Sequence, residues 1–126
     1  MSGTVRSRVG REAQARGVDA ESAACAALLD EGWALLGRRL RTIAGEIDIV
    51  AEKDGLVAFV EVKSRPTLAG AAGALGPRQR ERLLAAGEWL LAANPGWGLA
   101  GARFDVLVVD ATGRVRRIAD AFRREG

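Results

Sequence analysis

Apolar positions recur at two spacings along this chain, and their order predicts the order of the elements. From Asp19 to about Glu31, Ala24, Cys25 and Leu28 lie three and four residues apart, which predicts a helix with one inward stripe. Asp19 suits the cap of that helix and Gly32 its end. Trp33 to Thr42 alternates moderately and predicts a first strand; Glu46 to Ala51 predicts a second and Leu56 to Lys63 a third. The connection Glu52-Lys53-Asp54-Gly55 carries an Asp-Gly pair, a hairpin signal. Pro66 follows the third strand. Thr67 to Gly76 is mostly Ala and Gly and predicts a loop, read either as a plain linker or as backbone that approaches a ligand closely. Pro77 opens a second helix to about Ala93, with Leu83, Ala86, Leu90 and Ala93 on its apolar face. Asn94-Pro95-Gly96 breaks it. Arg103 to Asp110 predicts a fourth strand, Ala111-Thr112-Gly113 a turn, Arg114 to Ile118 a short last strand and Asp120 to Arg124 a terminal turn. Residues 1–17, polar and arginine-rich, predict a flexible N-terminal arm before a single domain over residues 18–126. Helices mixed with strand hairpins predict an α/β layer fold around a mixed sheet.

Acidic side chains interrupt the second and third strands. Side chains alternate faces along a strand, so Glu46, Asp48 and Val50 are expected on one face and Ile47 and Ile49 on the other. In the next strand Phe59, Glu61 and Lys63 share a face opposite Val60 and Val62. If the two strands pair, two or three carboxylates and one ammonium meet on a half-buried sheet. Such groups are costly there unless they are paired or bound to metal. Glu21 lies three and four residues from Ala24 and Cys25, so it belongs either to the inward stripe of the first helix or to its first turn, where the macrodipole favours acids.

Composition narrows the chemistry. A chain of 126 residues is expected to form one domain with a sizeable core. It has no histidine and a single cysteine, Cys25, which removes histidine-based catalysis, an internal disulfide and a Cys-His zinc site from the options. A metal would be held by carboxylate, carbonyl and water oxygens, which favours magnesium or manganese. The sequence carries neither a membrane-length apolar run nor a secretory leader, so the cytoplasm is the expected location. Its arginines cluster at Arg38, Arg39 and Arg41, at Arg78, Arg80 and Arg82, and at Arg114, Arg116, Arg117, Arg123 and Arg124. Each cluster reads as phosphate contacts or as a solvated face. Of 19 basic residues only Lys53 and Lys63 are lysine. That bias singles out Lys63, because a compact ammonium differs from a guanidinium beside a water or phosphoryl oxygen. Trp33, Trp89 and Trp97 read as core or rim rather than as a platform for stacked bases.

The layout of Asp48, a hairpin, then Glu61-Val62-Lys63 resembles the PD-(D/E)xK nuclease superfamily, whose fold is restriction-endonuclease-like, a mixed β-sheet flanked by helices. Gly45-Glu46-Ile47-Asp48-Ile49-Val50-Ala51 and Phe59-Val60-Glu61-Val62-Lys63-Ser64-Arg65 are similar to the YraN family of predicted endonucleases. Ala20-Glu21 with Gly32, Gln79 with Arg82, Arg103-Phe104-Asp105 and Asp120-Ala121-Phe122 extend the likeness over about residues 17–122. The Pro of the superfamily motif is Ile47 here. The resemblance implies magnesium or manganese held by Asp48 and Glu61, with the Val62 carbonyl and Glu21 as further ligands. It implies that Lys63 orients or activates water and that Gln79 meets a metal-bound water or a phosphate. Arg38, Arg39, Arg41, Arg65, Arg78 and Arg82 are the candidate nucleic-acid contacts. Glu46 reads either as a further ligand or as a partner of Arg41 or Arg103, and Asp105 as a partner of Arg103. The expected activity is metal-dependent cleavage of nucleic acid, DNA in particular, on branched or damaged structures. The alternatives are a module of the same fold that binds without cutting, and a protein-interaction domain in which the acids form a salt-bridge network. Cutting both strands of a duplex would be easier for a homodimer.

Overall fold

The computed structural model describes residues 19–69 and 75–122. The elements follow in the order α1 (Ala20–Asp30), β1 (Ala34–Thr42), β2 (Gly45–Lys53), β3 (Leu56–Ser64), α2 (Pro77–Ala93), β4 (Gly101–Val109) and β5 (Val115–Phe122). The strands form one sheet in sequence order. All neighbours are antiparallel except β3 and β4, which run parallel from Leu56↔Gly101 to Ser64↔Val109. That parallel joint needs a crossover, and α2 supplies it. This is an α/β fold with a mixed sheet flanked by helices, consistent with a restriction-endonuclease-like domain. The N-terminal arm of residues 1–17, part of the Thr67–Gly76 loop, and Arg123 and Arg124 lie outside the described residues. No described helix is long and apolar enough to cross a membrane.

Each helix covers one face of the sheet. Leu83, Ala86 and Leu90 of α2 pack with Val50, Phe59, Val106 and Val108. Ala24, Cys25 and Leu28 of α1 pack with Ile49, Val60, Leu107 and Val109. The α2 contact is close because of Gly87: a Cβ there would stand 2.6 Å from the Phe104 ring and 3.2 Å from Phe59. The Phe59 and Phe104 centroids are 5.2 Å apart, within the range of favourable aromatic pairs.

The structure corrects several element ends. Asp19 stands at the N-cap of α1 as expected, its carbonyl accepting the Ala23 N–H (3.0 Å), while its carboxylate accepts the Ser22 hydroxyl (2.8 Å) rather than a helical N–H. Ala93 is exposed and lies off the apolar face of α2. Glu52 and Lys53 belong to β2, and the turn narrows to Asp54-Gly55, with φ of 52° and 82°. Left-handed values at both positions match the twist of the flanking strands. Strand β5 runs on to Phe122 where a turn after Ile118 was expected. Two tertiary contacts carry it past the bulge between Phe104 and Val106: the Asp120 N–H donates to Asp105 (2.8 Å), and Phe122 stacks on Phe104 (5.1 Å).

The largest correction concerns facing in β2. Ile47 and Ile49 were expected on one face, yet Ile47 packs with Val50 in the α2 core while Ile49 packs in the α1 core. Alternation therefore breaks at Asp48. In β3 it holds: Phe59 lies in the α2 core, and Val60 and Val62 lie on the α1 side.

Candidate active site

The site arises where the β2–β3 ladder stops. Pairing runs from Lys53↔Leu56 to Ile49↔Val60 and ends there. One further step would seat Asp48 opposite Glu61. Instead the strands fork, and β2 stays paired with β1 through Arg38↔Ile49 and Leu40↔Ile47. Arg39, level with Asp48 between those pairs, has φ 53°, an uncommon conformation for a non-glycine residue. The Asp48 carboxylate fills the mouth of the fork: its Oδ2 accepts the Val62 N–H at 2.8 Å, an amide that the ladder no longer reaches.

A cavity of about 180 Å³ opens on the α2 side, lined by Gly45, Glu46, Asp48, Glu61, Gln79, Arg82 and Leu83. Glu61 reaches it from β3. Its Oε2 accepts a hydrogen bond from Gln79 Nε2 (3.0 Å) and lies 3.3 Å from Lys63 Nζ. Burial, then the Asp48 charge, push the Glu61 carboxyl up to about 7, with Lys63 pulling it down. Burial also raises Asp48. The Val62 N–H and Glu61 oppose that shift, while the charges of Glu21 and Glu46 add to it. Two half-buried carboxyls facing each other resist joint ionisation and hold a proton near neutral pH.

The donor chemistry suits a hard divalent ion. The convergent carboxylate oxygens come from Asp48 and Glu61, and the Gln79 amide N–H holds the second of them. Among the described residues no group of three or more His, Cys, Asp or Glu side chains is placed to hold an ion. An ion here would have two protein carboxylates and complete its shell with water and substrate oxygens, as magnesium commonly does.

The other candidates divide between the cleft and its surroundings. Glu46 both lines the cleft and pairs with Arg41 at 3.7 Å. Arg82 lines the cleft; Arg78 is exposed at the start of α2, and Arg65 donates to the Ser64 carbonyl (2.8 Å). Glu21 is not among the cleft-lining residues. Its Oε1 accepts from Arg38 (2.9 Å) and Arg39 (3.0 Å). Asp105 is fully buried, pairs with Arg103 at 3.0 Å, and belongs to the α1 face of the sheet. Trp33 is buried beneath the guanidiniums of Arg103 and Arg117, 5.3 and 5.7 Å from its ring, and Arg117 pairs with Glu31. Sequence reasoning missed Gly45 and Leu83 as cleft walls and the left-handed backbone of Arg39 beside the fork. No local signal marks an arginine for a left-handed φ.

Comparison with known proteins places the same stretch in one group. Residues 20–109, which include Glu21, Asp48, Glu61, Lys63 and Gln79, match the profile of the "Uncharacterised protein family UPF0102". A UPF0102 protein of Granulibacter bethesdensis is 62% identical over 114 residues, covering 90% of this chain and 72% of that protein. One from Azorhizobium caulinodans is 45% identical over 114 residues (90% and 87%), and one from Acidiphilium cryptum 42% over 120 (95% and 93%).

Proposed function

We propose that this chain, which belongs to the uncharacterised protein family UPF0102, hydrolyses phosphodiester bonds in nucleic acid, DNA in particular, with Asp48 and Glu61 as the ligands of a magnesium or manganese ion. The observation that carries the reading is the convergence of these two half-buried carboxyls, from strands that fork, in a polar cleft beside Lys63. The sequence likeness to the PD-(D/E)xK nucleases supports the same assignment.

When bound, the ion would polarise the phosphoryl group and neutralise its developing charge. The chain's own groups do the rest. Gln79 fixes the Glu61 carboxylate by donating to Oε2. Lys63, tethered to the same oxygen, presents an ammonium that can orient water and stabilise the anion that forms on attack. Arg82 lines the cleft where a non-bridging phosphate oxygen would sit. The Val62 N–H holds Asp48 in place.

The test supplies purified protein with branched, single-stranded and duplex DNA in magnesium or manganese. Cleavage above that of an Asp48→Ala control is expected, and none above it would defeat the reading. The Lys63–Glu61 pair also fits a purely structural salt-bridge network. Calorimetric titration with magnesium separates the two: the structural version predicts no binding and no change in stability.

A further inference from the structure

The arginine pair on Glu21 is not used by the chemistry above. Glu21 Oε1 accepts from Arg38 Nη2 (2.9 Å) and Arg39 Nε (3.0 Å), and Oε2 lies 3.4 Å from Arg39 Nε. Arg39 Nη2 also sits 3.0 Å from Oε1. The carboxylate side chain is 12% exposed, while those of Arg38 and Arg39 are 46% and 66% exposed. One sheltered acid thus holds two solvent-facing guanidiniums side by side. A guanidinium has five N–H donors; Nε and Nη1 of Arg38 and Nη1 of Arg39 have no acceptor among the described residues. The trio carries one net positive charge, and the two cations repel each other. A second anion would relieve that repulsion and use the remaining donors.

The position of the pair is set by the fork. Arg39 is level with Asp48 across the β1–β2 ladder, and its left-handed backbone belongs to the irregularity that opens the site. Glu21 lies close enough for its charge to act on Asp48, so the arginines flank the proposed metal centre. For Glu21 to reach an ion, it would have to release both guanidiniums and leave them facing a second cation.

We infer that Arg38 and Arg39, held by Glu21, form a phosphate subsite for a phosphodiester neighbouring the scissile one, and that Glu21 is a positioning residue and no ligand of the ion. This rests on reading the cleft as a nucleic-acid site. Two titrations test it. In the first, a fluorescein-labelled DNA duplex binds the protein without metal over a range of salt. The R38Q/R39N variant is expected to lower the slope of log affinity against log salt by about 1.8, two duplex contacts at roughly 0.9 each. Asn is chosen at position 39 because it tolerates a left-handed φ. R38K/R39K, which keeps both charges, retains most of the slope and guards against misfolding as the cause. In the second, manganese alone is titrated calorimetrically. E21Q is expected to bind it with wild-type stoichiometry, whereas D48N loses binding. In cleavage assays E21Q raises KM several-fold at unchanged kcat. An unchanged salt slope in R38Q/R39N, or loss of manganese binding in E21Q, overturns the inference and leaves the proposed function standing. If wild-type protein binds no manganese, the proposed metal chemistry falls, while the salt slope still reports on the arginines.

Discussion

Acids taken out of water at two places in one sheet solve the same problem in opposite ways. Asp105 of β4 is fully buried, and burial raises its carboxyl; it answers with Arg103 at 3.0 Å and the Asp120 N–H at 2.8 Å. Asp48 and Glu61 are raised by burial too, but each has the other carboxyl as a neighbour, and among the described residues the ion-pair partner of Glu61 is Lys63. An acid matched by a guanidinium and an amide is a fastening. An acid set against another acid leaves a deficit of positive charge that an external cation can fill. The fastening sits on the α1 face and the deficit opens toward α2.

Breaking each side should have different consequences. The largest effect is expected from Asp48→Asn or Glu61→Gln: loss of metal-dependent cleavage by about two to three orders of magnitude, as several kcal/mol of charge stabilisation disappear. Single-turnover assays in magnesium check it, and the fold should remain intact by circular dichroism. Asp105→Ala should do the reverse, destabilising the protein by about 3 kcal/mol or more, because Arg103 loses the partner of a largely buried pair. Urea unfolding reads that loss. A variant of wild-type stability would show that Asp105 is not the fastening described.

The pH dependence sharpens the contrast. In metal-free protein Glu61 titrates near 7, against an ordinary value of 4.5. A raised carboxyl means that the folded state binds the proton more tightly than the unfolded chain. Its stabilising contribution is complete below pH 4.5 and is lost as pH rises through about 7. Melting curves in EDTA should therefore fall across that window, Glu61→Gln should flatten the fall, and saturating magnesium should restore stability at the upper end. A smaller effect, about 1 to 3 kcal/mol, is expected for Gly87→Ala, which overpacks the helix that walls the cleft. The ring a new methyl would strike, Phe104, is held between Phe59 and Phe122 and has little room to give.

Much of this was legible in the sequence because the signals are local. The helix spacing of Ala24, Cys25 and Leu28, Pro77 at a helix start and Asp54-Gly55 at a hairpin each act within a few residues. So does the spacing that brings Glu61, Lys63 and Phe59 to one face. What escaped depends on distant partners. The break in alternation at Asp48 lies level with the left-handed backbone of Arg39 on another strand. The extension of β5 depends on Asp105 and Phe104 in β4. The hold of Arg38 and Arg39 on Glu21 joins residues 17 and 18 positions apart, and no periodicity encodes it.

One bond at the fork has a use beyond architecture. The Val62 amide donates to a carboxylate oxygen of Asp48 where its neighbours in β3 donate along a sheet. Its proton therefore senses the charge on Asp48 directly. In a nitrogen–proton NMR spectrum that single resonance is a built-in voltmeter for the site, moving when Asp48 is protonated and again when a cation draws its charge away, while the amides of Val57 and Phe59 in the paired part of the strand stay still.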